Sequence, residues 1–242
     1  MFLKKAWRFL KNKIRIKAYS KYNNSIILMF HSILNSDEKR RSYYLDCKDF
    51  VSFISKYEQR IADIDSVINN PNIQSIAITF DDVRDDVFEN ALPILIKRRI
   101  PFTVFINISL LGKDGYITKE QLLKISSFDF ATIGSHCVTH KPLKHVHSSV
   151  QKEELEQSKN CLENMTNKTV SLLAYPYGQF DKNTIKIAKS IYDFAFVSYG
   201  GLINDKNIKQ KYTIHRQGVD DSTIVETVNL IEKYVVKNQK RY

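Results

Sequence analysis

From residue 25 onward, short apolar runs alternate with longer stretches of helical periodicity. The runs 25–30 (SIILMF), 75–80 (SIAITF), 101–106 (PFTVFI), 130–134, 170–175, 194–198 and 212–215 read as strands. Residues 46–57, about 85–98, 148–166, 181–190 and 220–237 read as helices. Thr118 and Gln121 have the spacing of a capping box that would open a further short helix. Alternation at this spacing predicts parallel βα units. About seven strands predict an α/β fold of the distorted (β/α)7 barrel type, in one domain, rather than an open sheet. No GxGxxG or Walker loop occurs, so a nucleotide-binding sheet lacks its main signature.

Ahead of this domain, residues 2–16 have a different pattern. Phe2, Leu3, Ala6, Trp7, Phe9, Leu10, Ile14 and Ile16 fall on one helical arc, and Lys4, Lys5, Arg8, Lys11 and Arg15 on the other. The division expected is a basic amphipathic helix over 1–22 and a catalytic domain over 23–242. Such a helix either lies on an anionic membrane surface or packs on the domain with its basic face in water.

Charge supports the division. The net charge is +11, yet residues 1–22 alone hold eight cations and no acid. A nucleic-acid groove through the domain is therefore not expected. The hydrophobic fraction of 43% and charged fraction of 26% are ordinary for a globular chain. Three cysteines without a CxxC argue against a disulfide framework. No apolar run is long enough to span a bilayer, and cations interrupt any signal-like stretch. These features predict a cytoplasmic protein, with peripheral contact at the inner membrane face if the helix lies on lipid.

Unusual polar residues follow the apolar runs. SIILMF ends in His31, SIAITF in Asp81-Asp82, FATIGS in His136 with His140 four residues on, LLAYPYG in Tyr177-Gly178, and YTI in His215-Arg216. In parallel α/β folds the C-terminal strand ends form the rim that carries the active site. Adjacent carboxylates leaving a buried strand repel one another unless a cation compensates, and a divalent ion would do so. The alternative is an Asp cap on the next helix. An H-x3-H spacing lets two imidazoles reach one ion. With a carboxylate the set becomes His2Asp, the open three-ligand arrangement of a catalytic metal site. Cys137, next to His136, is a bystander, and His145 and His147 belong to a polar loop.

The ordered set resembles the polysaccharide deacetylases of the NodB-homology type, carbohydrate esterase family 4. The matching stretches are Thr79-Phe80-Asp81-Asp82, Ser135-His136-x3-His140-x2-Leu143 and Ala174-Tyr175-Pro176-Tyr177-Gly178. Met29-Phe30-His31-Ser32-Ile33 resembles the opening motif of a branch acting on cell-surface polysaccharides. The resemblance covers about 25–219. It implies a metal-dependent hydrolase that removes N-acetyl groups from an amino sugar in such a polysaccharide or its precursor. Asp81 then matches the general base, and Asp82, His136 and His140 match the ligands of Zn2+ or another divalent ion. The backbone N–H near Tyr177 matches the oxyanion contact, and His31 the general acid, with His215 as its rival.

The chain departs from the family pattern at two places. Val83 stands where the family has Gly. Ala174 stands where many members have the Arg that holds the base, and Arg216 is the candidate replacement. Two other readings remain: a catalytically degenerate glycan-binding barrel, to which Val83 points, and a protein that binds an anionic partner or membrane surface through residues 1–22.

Overall fold

A computed structural model describes residues 21–35 and 42–236. The amphipathic helix expected over residues 2–16 lies outside the described residues. In chain order the strands are β1 (Ile26–Phe30), β2 (Ser32–Leu34), β3 (Tyr44–Asp46), β4 (Ile76–Asp81), β5 (Phe102–Ile106), β6 (Ala131–Ser135), β7 (Leu172–Ala174), β8 (Phe194–Val197), β9 (Ile214–His215) and β10 (Gln217–Gly218). Eight of them form one parallel sheet in the order β10-β1-β4-β5-β6-β7-β8-β9, while β2 and β3 pair separately.

The barrel closes through residues 214–218. Ile214 and His215 register with Phe196 and Val197 of β8, and Gln217 and Gly218 with Leu28 and Met29 of β1. One extended segment thus joins both end strands and changes partner at Arg216. Counted as one strand, it gives the seven positions that the alternation predicts.

The helices follow from local chemistry. Asp46, Asp63 and Asp181 cap the helices Cys47–Tyr57, Ile64–Asn69 and Lys182–Ile191. The Thr118/Gln121 capping box opens Lys119–Ser126. Helix Ser148–Thr166 ends on Asn167 in the left-handed conformation. The helix expected over 85–98 begins instead as a π-turn, Val87–Ala91, before Leu92–Lys97. Leu92 N–H reaches back five residues to Val87, and Pro93 beside it has no N–H to continue the ordinary ladder. The strands β2 and β3 and the helix Ile64–Asn69 were not expected. At three and six residues they are too short for periodicity to register. Among the described residues no helix is long and apolar enough to cross a membrane.

Pleating sorts the strand residues into two cores. Ile26, Leu28, Phe30, Ile76, Ile78, Phe80, Val104 and Ile106 face the helices. Ile27, Ala77, Phe105, Leu172, Ala174, Phe196 and Ile214 form a second cluster that fills the barrel. Gly134 is needed here, because a Cβ on it would stand 2.5 Å from the Phe105 ring. That ring lies 4.9 Å below the Arg216 guanidinium, with Phe196 5.9 Å away on the same group. The inward rows therefore change at the rim from apolar to charged: Ile27-Met29-His31, Ala77-Thr79-Asp81, Thr132-Gly134-His136 and Ile214-Arg216.

Candidate metal centre

Asp81 and Asp82 leave β4 together but are turned apart. Val83 N–H donates to Asp81 C=O at 2.7 Å, closing a three-residue turn around Asp82, whose φ is 62°. Val83 continues at φ 46°, a conformation that glycine adopts freely and a β-branched residue does not. Its side chain is fully buried in the outer core. Val83 therefore keeps the turn that glycine would make, and burial of its side chain offsets the strain.

Asp81 points inward to Arg216. The guanidinium grips both carboxylate oxygens, Nη1 to Oδ1 at 2.6 Å and Nη2 to Oδ2 at 2.7 Å, and also donates to Thr79 Oγ1. Both residues are buried. Burial alone would raise the Asp81 pKa. The Arg216 charge and hydrogen bonds overcome this and hold it at about 2. Arg216, from another strand than Ala174, is thus the residue that holds the Asp81 carboxylate.

Asp82, His136 and His140 converge beside this pair. Asp82 Oδ1 lies 3.8 Å from His136 Nε2 and 3.2 Å from His140 Nε2, and the two nitrogens are 3.2 Å apart. The centre of a triangle with these edges lies about 2 Å from each corner, the length of a Zn–N or Zn–O bond. Each corner is an atom that can offer a lone pair to an ion. Asp82 Oδ1 is buried and has no hydrogen-bond partner. His136 Nδ1 stands 2.7 Å from Ala174 C=O, which can only accept, so Nδ1 carries the proton and Nε2 is bare. Burial lowers the His136 pKa and keeps the ring neutral. His140 Nδ1 is 3.1 Å from Tyr177 Oη, which leaves Nε2 for the centre. A buried oxygen without a hydrogen-bond partner, facing two imidazole nitrogens, fits a divalent cation.

The other candidates are distributed as follows. His31 continues the inward row of β1 and acts on the Asp81 charge; its ring lies 5.7 Å from Tyr43. His215 has the opposite parity to Arg216, and its Nδ1 meets Gly200 C=O at 2.8 Å. Tyr177 sits at φ 57° in a turn closed by the N–H groups of Gly178 and Gln179. Cys137 is buried in the outer core, and burial pushes its thiol pKa well up. The Cys137 thiol therefore stays neutral and turned away. Sequence reasoning missed two supports. Asp86 accepts from Ser32 Oγ and Ile33 N–H and so anchors the segment after His31. Glu154 binds the loop between the two histidines. Its signal was an acid on the stripe Gln151, Glu154, Leu155, Ser158 and Leu162, which the helix buries.

Known proteins resemble this chain in sequence and in fold. The chain is similar to poly-beta-1,6-N-acetyl-D-glucosamine N-deacetylase of Staphylococcus aureus, 29% identical over 150 residues, covering 56% of this chain and 50% of that protein. It is also 29% identical over 119 residues to the polysaccharide deacetylase homologue YxkH of Bacillus subtilis, covering 49% and 42%. The match thus spans about half the length of these relatives or less. Among solved structures, the fold is similar to IcaB from Ammonifex degensii (TM-score 0.77, 18% identity, 86% of this chain and 97% of that one). It is also similar to the Streptococcus pyogenes deacetylase PplD in complex with acetate (0.76, 22%, 86% and 98%). The family model for polysaccharide deacetylase matches residues 68–192, more than half of the sequence, and the chain belongs to that family.

Proposed function

We propose that this protein is a metal-dependent N-deacetylase acting on an N-acetylated amino sugar in a cell-surface polysaccharide or its precursor. Water cleaves the amide, and acetate and a primary amine are the products. The observation that carries this reading is the buried Asp82 Oδ1, without a hydrogen-bond partner, facing the Nε2 atoms of His136 and His140. Zn2+ is the ion we assign, since two imidazoles, one carboxylate and an open position suit it. Bound there, such an ion supplies Lewis acidity, which acidifies a water and polarises the acyl oxygen.

The chain's own residues divide the remaining work. Asp81 is held ionised by Arg216, and each of its oxygens keeps a second lone pair for a water proton. With a pKa at about 2 it is a weak base. It therefore orients the water and receives a proton only from a strongly acidified one. The N–H near Tyr177 donates to the developing oxyanion. His31, on the inward row, delivers a proton to the leaving amine. Tyr43, Tyr177 and Tyr199 leave their rings exposed beside His31, His140 and His215, as stacking faces for sugar rings.

The reading is tested on the full chain with an N-acetylglucosamine oligomer. Elemental analysis is expected to give one zinc per chain, lost in an Asp82→Ala, His136→Ala double variant together with at least a ~1,000-fold fall in acetate release, about 4 kcal/mol of barrier. Zinc retained by that variant would contradict it. For the acid, His31→Ala is expected to cost ~10²–10⁴-fold in kcat and His215→Ala less than ~10-fold. The reverse order would give the role to His215. For Asp81, the sign follows from burial: without the guanidinium its pKa rises. Arg216→Met is therefore expected to move the acidic limb of the kcat/KM profile up by two or more pH units. An unshifted limb would remove Arg216 from the site.

A further inference from the structure

We propose that Glu154 is a positioning residue for the metal centre, holding the 137–139 loop so that the two imidazoles converge before any ion arrives. The proposal rests on the metal reading above.

Glu154 belongs to helix Ser148–Thr166 and turns a buried carboxylate away from water, 7% exposed. An acid in that position must find donors. Among the described residues no Lys or Arg pairs with it. Its donors are all on the loop between the histidines: Oε2 accepts from Val138 N–H at 2.8 Å and Thr139 N–H at 2.9 Å, and Oε1 from Thr139 Oγ1 at 2.5 Å. Such bonds to an ionised acceptor are the strong kind.

The other face of the loop is satisfied from the end of β5 and the segment 107–109 that follows it. His136 N–H donates to Ile106 C=O, Ile108 N–H to Cys137 C=O and Ser109 N–H to Val138 C=O. Asn107 Nδ2 donates to the carbonyls of His136 and Cys137. Residues 107–109 thus take the carbonyls, and Glu154 takes the N–H groups at 138 and 139. The loop so held is strained, with Cys137 at φ 63° and His140 at φ 57°. Left-handed residues of this kind persist only where the surroundings over-determine them. The result is the 3.2 Å approach of His136 Nε2 and His140 Nε2, with Asp82 Oδ1 3.2 Å from the latter, the convergence that an ion would use. Without Glu154 two partly buried N–H groups lose their acceptor, and the loop relaxes toward ordinary backbone angles that carry His140 away from His136.

The test is zinc affinity of the metal-stripped full chain, measured by competition with a chromophoric chelator. Denaturation midpoints of the metal-free proteins are measured in parallel. Changes in residues that support ligands typically cost 10–100-fold in metal affinity. Glu154→Ala is expected to weaken zinc by that factor. Glu154→Gln keeps a carbonyl acceptor for both N–H groups and is expected within ~5-fold of wild type. Thr139→Val, which removes only the hydroxyl bond, is expected to weaken zinc ~3–10-fold and decides the matter if Glu154→Ala does not fold. Ile231→Val, a buried change in the last helix, is expected to lower stability with affinity unchanged. Affinity within twofold of wild type for Glu154→Ala, or for Thr139→Val where Glu154→Ala does not fold, would overturn the proposal. So would a Gln variant as weak as the Ala variant, or an Ile231→Val shift equal to that of Thr139→Val. A wild-type chain that takes up no zinc would overturn the metal reading, and this inference with it.

Discussion

Two carboxylates that are neighbours in the chain leave a buried strand, and they cannot share one low-dielectric space without compensation. The site is organised around that constraint. The turn at Asp82, closed by the 2.7 Å bond from Val83 N–H to Asp81 C=O, sends the two side chains to different partners. Asp81 takes the permanent cation, Arg216. Asp82 faces the two imidazoles and keeps an oxygen without a hydrogen-bond partner. One carboxylate is thus neutralised by the fold and the other is left for an ion.

The neutralised half depends on how the barrel closes. Arg216 sits where the 214–218 segment passes from β8 to β1, so its side chain enters the interior between the two end strands. Phe105 and Phe196 support the guanidinium from below, and Gly134 makes room for Phe105. Removing the cation would leave a buried charge unpaired, which typically costs ~3–5 kcal/mol. The same ion pair therefore contributes to closure of the barrel and to the ionisation state of Asp81.

Much of this was legible in the sequence. Apolar runs ending in His31, Asp81-Asp82, His136 and His215-Arg216 announced both the parallel strands and the rim, because alternation and strand polarity are local properties. The inward parity of His31, Asp81, His136 and Arg216 could be read from the same pattern, and it separates Arg216 from His215. What sequence could not give were properties that arise between distant segments. Val83 reads as a departure from glycine, yet the left-handed turn survives because its side chain is buried against the helices. Glu154 reads as one acid among many on a charged helix until its stripe is known to face the His136–His140 loop. The short strands β2 and β3 carry too few residues to show a period. The π-turn at Val87–Ala91 follows from Pro93, a local cause that a helical pattern hides.

The account stands on three residues from two strand ends holding one divalent ion. X-ray absorption on the zinc-loaded full chain tests this most directly. The account predicts only nitrogen and oxygen scatterers at about 2.0–2.1 Å, with the outer-shell pattern of two imidazoles. A sulfur shell at about 2.3 Å, or an ion with no imidazole signature, would contradict it.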